Sequence, residues 1–276
     1  MNRRNNKNDP VELASRIRVH ALLMVHRANA SHIGGGLSSA DLLAHLYGGF
    51  LRIDPKQPDD PARDRLIVSK GHIAATVYAA LAEAGFFDIA MLDTYSQNGS
   101  SLAGHVTAHG VPGVEFSTGS LGHGLSVAAG LALAAKHEGS PRRAVVLLSD
   151  GECDEGSTWE AILFAATHKL SGLVAIVDHN GWQGLGRVDE VAPLGPFADK
   201  WRAFGWAVRE IDGHDHDQIA AALADLPDAK GRPSVIIART IKGKGVSFME
   251  DTLEWHYRSP SDEQLQKALA ELEEPQ

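Results

Sequence analysis

Apolar positions change period along the chain, from a helical stripe near the amino terminus to short unbroken runs further on. In residues 11–29, Leu13, Ile17, Leu22, Leu23 and Val25 fall at helical spacing, so the pattern predicts a helix there. The runs Arg65-Leu66-Ile67-Val68, Ala144-Val145-Val146-Leu147-Leu148, Leu173-Val174-Ala175-Ile176-Val177 and Ser234-Val235-Ile236-Ile237-Ala238 have the length and composition of buried strands, and Trp206 to Ile211 reads as a fifth. Between them, helices are expected at about 73–84, 88–95, 125–135 and 217–226, from Gly156 until Gly172 stops the chain, and over the acidic segment 261–274. Ser31-His32-Ile33-Gly34-Gly35-Gly36 reads as a turn after the first helix, with Ser38-Ser39 capping a second helix through Tyr47. Its glycines would let backbone approach a ligand, although the segment taken alone reads as a flexible inter-helix turn.

Strands alternating with helices imply an α/β fold, a doubly wound parallel sheet with helices on both faces. Residues 1–10 are polar and read as a disordered tail, and 11–276 as a single domain with no internal repeat.

Composition removes several function classes. At 276 residues, 43% hydrophobic and 22% charged, the chain can bury a full core. A net charge of −9 argues against bulk binding to nucleic acid or an anionic membrane. No apolar stretch has the length of a membrane span and the first ten residues lack a signal-peptide core, so the expected location is cytoplasmic. Cys153 is the single cysteine, which precludes an intrachain disulfide. Glu152, Asp154 and Glu155 around it would raise the thiol pKa, which argues against a nucleophile. Fourteen histidines are unusual, and several sit in glycine-rich turns where core filling explains little.

The chemistry concentrates between Ser149 and Trp182. The strand ending at Leu148 runs into Asp150-Gly151, a helix from Gly156 follows, and a second strand ends before Asn180: a βαβ unit. Its right-handed crossover would set the carboxyl ends of both strands side by side, so that Asp150 and Asn180 converge on one ion. A carboxylate, an amide oxygen and a backbone carbonyl are hard ligands suited to magnesium or calcium holding a diphosphate. The bland alternative is two ordinary loops of a parallel sheet. At Ser69-Lys70-Gly71-His72, a strand, a glycine turn and a helix start offer a place for an anion, with His72 as either a phosphate donor or a solvent-facing turn residue.

The Ser149 to Trp182 stretch resembles the thiamine diphosphate-binding motif, Gly-Asp-Gly followed about thirty residues later by Asn, in its transketolase version. Ser149 replaces the motif's first glycine, which is expected to adjust the turn without abolishing the site. The likeness extends through Ser31-His32, Ser69 to His72, Gly104-His105, the run Pro112 to Gly124, and Lys242-Gly243-Lys244-Gly245 followed by His256, in transketolase order. The chain is similar to the N-terminal, diphosphate-binding half of transketolase, in the form where that enzyme is split into two subunits.

This resemblance implies that Asp150, Asn180 and the carbonyl of Trp182 hold Mg2+, with Ca2+ or Mn2+ as alternatives. It implies that His72, Gly119, Leu121, Gly151, His256 and Lys244 meet the cofactor, thiamine diphosphate, Lys244 being equally readable as a solvated turn lysine. Among the catalytic histidines, His32 and His105 match ones that bind donor hydroxyls and assist proton transfer, while His256, like His72, matches one at the diphosphate and the neighbouring reaction centre. Glu155 and Glu160 match acidic residues at a subunit interface that links paired sites, Glu155 also bordering the cofactor; the alternative is a solvated helix start.

The implied activity moves a two-carbon ketol unit from a ketose donor to an aldose acceptor, in carbohydrate metabolism. In the family, the glutamate that activates the aminopyrimidine lies in a domain beyond this chain's last residue. The implied partner is therefore a C-terminal, pyrimidine-binding subunit, two copies of each forming a heterotetramer. The donor stays open among xylulose 5-phosphate, fructose 6-phosphate and sulfonated, branched or amino sugars. Other thiamine diphosphate enzymes, such as a 2-oxo acid dehydrogenase component or deoxyxylulose-phosphate synthase, share the metal motif. A non-catalytic partner is the alternative of a different class.

Overall fold

The apolar runs become strands in a computed structural model that describes residues 9–273. They are Arg65–Val68 (β1), Ala144–Ser149 (β2), Leu173–His179 (β3), the short Trp182–Gln183 (β4) and Gly186–Arg187 (β5), Ala207–Asp212 (β6) and Ser234–Arg239 (β7). Five form one parallel sheet in the order β1-β2-β3-β7-β6, while β4 and β5 make an antiparallel hairpin. The helices are Pro10–Arg27 (α1), Ile33–His45 (α2), Ala74–Ala84 (α3), Gly124–Glu138 (α4), Gly156–Thr167 (α5), Val188–Val191 (α6), Phe197–Ala203 (α7), His216–Ala224 (α8) and Asp262–Glu273 (α9). Up to residue 8, the expected disordered tail lies outside the described residues. Asp9 caps α1 by accepting from Val11 N–H at 3.1 Å, and Pro10 takes the first helical position.

Alternation along the central strands explains how one sheet supports two cores. Val145, Leu147, Val174, Ile176 and Ile236 share one core with residues of α1, α2, α3, α8 and α9, whereas Val146, Leu148, Ala175, Val177, Val235 and Ile237 share the other with α4, α5 and α7. Strands buried on both faces must be apolar throughout, hence the unbroken runs. Among the described residues, no helix is long and apolar enough to cross a membrane.

One local expectation is corrected. The glycine triplet is not an inter-helix turn capped by Ser38-Ser39; it is the first turn of α2, which already begins at Ile33. Packing overrides the poor helix propensity of glycine here. A Cβ on Gly36 would lie 2.2 Å from Thr76 Oγ1 of α3, and one on Gly34 would lie 3.1 Å from Cγ of Lys242. Only glycine lets these elements close. Ser38 and Ser39, inside the helix, turn their hydroxyls to Asp178 at the end of β3, at 2.7 and 3.0 Å. A second departure is α7, for which the pattern gave no expectation: its Trp201 is fully buried against Trp206 and Trp159.

Candidate active site

The carboxyl ends of β1, β2, β3 and β7 open into a cavity of about 280 Å3, lined by His32, His72, His105, His256, Lys70 and Lys242. Ser149, Gly151, Asn180, Trp182, Gly119 and Leu121 line it as well. This is where parallel α/β sheets place ligands.

The two loops expected to converge do so. Strand register pairs Ser149 with Asp178, which sets Asp150 beside the turn after β3. The Asp150 carboxylate accepts from Gly151 N–H at 2.8 Å and Gly181 N–H at 2.6 Å. It is fully buried, and no Lys or Arg side chain among the described residues pairs with it. Burial, aided by Asp178, pushes its pKa up to about 7. A buried carboxylate with no Lys or Arg ion pair fits a site for a divalent cation. Asn180 is oriented by its neighbour: its Nδ2 donates to Asp178 Oδ2 at 3.2 Å, so Oδ1 faces the turn, where it accepts from Trp182 N–H at 3.0 Å. The donor set is all oxygen, which fits Mg2+ or Ca2+ rather than a soft metal. Ser149, in place of the motif glycine, accepts from Glu152 N–H through Oγ at 3.3 Å and so closes the acidic turn.

Beneath the cavity, Asp178 is the hub of a buried network. Lys70, Ser38, Ser39, Asn180 and Thr240 all bond to its carboxylate. Burial alone would raise this carboxyl; Lys70 and the hydroxyls of Thr240 and Ser38 hold it below the usual range. Glu152 is also fully buried. Its carboxylate accepts from Gly122 N–H at 2.9 Å, Ser149 N–H at 3.3 Å and the Ser69 hydroxyl, fastening three loops.

Three imidazoles surround that of His32, whose ring centroid lies 4.7 Å from His256, 5.3 Å from His72 and 5.8 Å from His105, all edge to face. His32 holds a left-handed backbone, φ 70°, secured by its N–H donating to His256 carbonyl at 3.0 Å. Its Nδ1 is buried without a partner. Burial, with His105 and Lys242 nearby, lowers His32 to about 4, and burial with Lys242 lowers His256 to about 3. Burial and Lys70 hold His72 well below its ordinary value. These three rings are neutral at neutral pH, each able to accept or donate one hydrogen bond per nitrogen.

The sequence reading missed Lys242. It is 2% exposed, its Nζ lies 3.1 Å from His256 Nδ1, and burial beside Lys70 lowers its pKa to about 8. Lys244 does not line this cavity; its Nζ sits 3.8 Å from Glu250. Glu155 and Glu160 are exposed, outside the cavity. Cys153 is buried and its thiol pKa is raised, first by burial and then by the acidic neighbours, so it is inert as read.

The family described as transketolase, thiamine diphosphate binding domain, matches residues 10–272. The chain is 44% identical over 260 residues to the 6-deoxy-6-sulfo-D-fructose transketolase subunit of Clostridium sp. (strain MSTE9), covering 94% of each. It is 41% identical to an apulose-4-phosphate transketolase subunit of Phocaeicola vulgatus, covering 91% of this chain and 89% of that one. The fold is similar to transketolase from Leishmania mexicana, with a TM-score of 0.90 and 29% identity across 96% of this chain. The match spans only 41% of that longer enzyme.

Proposed function

Because the chain belongs to the transketolase family, as its N-terminal, thiamine diphosphate-binding subunit, we propose that it grips the diphosphate end of thiamine diphosphate in the cavity above β2 and β3. With a separately encoded pyrimidine-binding partner it would transfer a two-carbon ketol unit from a ketose to an aldose. The observation that supports this reading is one cavity that gathers Asn180 and a cluster of four histidines, with the buried Asp150 carboxylate next to it, accepting from Gly181 N–H.

Asp150, Asn180 and the Trp182 carbonyl would hold Mg2+, and Gly151, Gly119, Leu121, His72 and Lys242 would border the diphosphate. When bound, the cofactor supplies an electron sink for the donor carbonyl carbon. The chain's own part is binding, orientation and proton traffic. His105, which is exposed, and the less exposed His32 and His256 offer ring nitrogens to donor hydroxyls. The unpartnered His32 Nδ1 is available for one such bond. Glu155 and Glu160, on the surface beside exposed Leu163 and Phe164, fit a contact with a second subunit in an assembly holding two copies of each chain. Two relatives are named for ketoses ending in a sulfonate or a phosphate, and we take the donor to be a ketose of that anionic class.

Asp150→Ala tests the cation site. In the two-subunit enzyme it should weaken Mg2+-dependent binding of thiamine diphosphate by roughly tenfold or more, since a hard cation loses a charged ligand. Unchanged calorimetric affinity would remove the assignment.

A further inference from the structure

His214 lies outside the cavity, on the loop after β6, yet it is the pivot of a relay that ends at a cavity residue. Its placement begins with Gly213. A Cβ there would meet Thr240 Cγ2 at 2.5 Å and Arg239 carbonyl at 3.0 Å, so only glycine lets this loop lie against the end of β7. Gly213 N–H donates to the Arg239 carbonyl at 2.7 Å, continuing the β6 to β7 pairing by one step. The next residue, His214, is thereby brought beside Ile241.

Its two nitrogens have different, forced roles. Ile241 N–H lies 2.8 Å from His214 Nε2, and a backbone N–H only donates, so Nε2 must carry a lone pair. The ring proton is therefore on Nδ1, which donates to Asp41 Oδ2 at 2.7 Å. Asp41 is fixed in turn by the Arg18 guanidinium, whose two nitrogens reach its two oxygens at 3.0 and 2.6 Å, both residues being buried. Arg18 on α1, Asp41 on α2, His214 and Ile241 form one chain of directed bonds.

Ile241 immediately precedes Lys242. The Lys242 carbonyl accepts from Asp251 N–H at 2.8 Å, its stem passes Gly34, and Gly243 N–H donates to Gly34 carbonyl at 2.9 Å. Those contacts fix the chain after Lys242; before it, Thr240 is held by Asp178 and Ile241 by His214. We propose that His214, through the Ile241 amide, is a positioning residue that sets Lys242 into the cavity beside His256. The functional weight of this step rests on the reading above that the cavity takes a diphosphate, but the placement itself does not.

Two variants separate the relay from general stability. Asn at 214 keeps a donor near the Nδ1 position for Asp41 but cannot reach Ile241, whereas Gln can extend an oxygen towards Ile241 N–H. The test measures amide hydrogen exchange at Ile241, and acylation of Lys242 by an amine-reactive ester read by mass spectrometry, on the full chain without cofactor. For His214→Asn the expected result is faster exchange at Ile241 and faster labelling of Lys242, each by about fivefold, the worth of one lost hydrogen bond. His214→Gln should stay near wild type, and core amides of β2 and β3 should keep their protection in both. Unchanged Ile241 and Lys242 in His214→Asn would overturn the proposal, as would equal increases in both variants or loss of protection in β2 and β3. Because no cofactor is present, failure here is distinct from failure of the diphosphate reading, which Asp150→Ala tests.

Discussion

Replacing Lys70 by Met tests the buried network under the cavity. Lys70 and Asp178 are both fully buried and bonded to each other, so removing the ammonium leaves a buried carboxylate without its cation. Breaking such a pair from one side typically costs about 3–5 kcal/mol. Asp178 retains Ser38, Ser39, Asn180 and Thr240 as donors, which places the expected cost at the lower end, about 3 kcal/mol. For a domain of this size that corresponds to a fall in Tm of roughly 6–12 °C. Urea unfolding of the purified chain at neutral pH gives the number directly. The double variant Lys70→Met with Asp178→Asn removes the stranded charge while the hydroxyls rotate to serve the amide, so it should recover part of the loss. A cost below about 1 kcal/mol for Lys70→Met, or a double variant no more stable than the single one, would refute the charge argument.

Two further outcomes follow from particular contacts. Gly36→Ala should destabilise the chain by about 1–3 kcal/mol, because its Cβ would lie 2.2 Å from Thr76 Oγ1; adding Thr76→Ala should restore most of this, and an additive double mutant would contradict the clash. Burial, then the neighbouring His216, lowers His45 to about 4 against the opposing Asp41 and Asp9. The unfolded chain therefore takes up a proton first as pH falls through about 6.5, and the stability present above that pH is lost on the way to about 4. His45→Gln should flatten this limb by on the order of 2–3 kcal/mol, and an unchanged slope would count against it.

What could be read in the sequence and what could not divide along a physical line. The strands were legible because burial on both faces forces unbroken apolar runs, and the meeting of Asp150 with Asn180 followed from the handedness of a βαβ crossover. The start of α2 was not legible, since three glycines disfavour a helix locally and only contacts with Thr76 and Lys242, distant in sequence, make them necessary. Lys242 and Lys244 are chemically alike and two residues apart. Which one turns inward is decided by Gly34, Asp251 and His214, none of which a local pattern reveals. Glu152 shows the same limit. Beside Asp154 and Glu155 it looks like part of a solvated run, yet long-range acceptance from Gly122 and Ser69 buries it.

The central claim is that this chain supplies one half of a ketol-transferring site. On the proposed reading this chain binds the diphosphate end of the cofactor, and a separately encoded pyrimidine-binding partner would complete the desolvated setting its chemistry uses. The most direct measurement is ketol transfer from an anionic ketose to an aldose acceptor, with Mg2+ and thiamine diphosphate, by this chain alone and mixed with a pyrimidine-domain subunit, with mass in solution measured alongside. The account predicts turnover only in the mixture, carried by an assembly holding both chains. Full turnover by the purified chain alone, even as a dimer of itself, would contradict it.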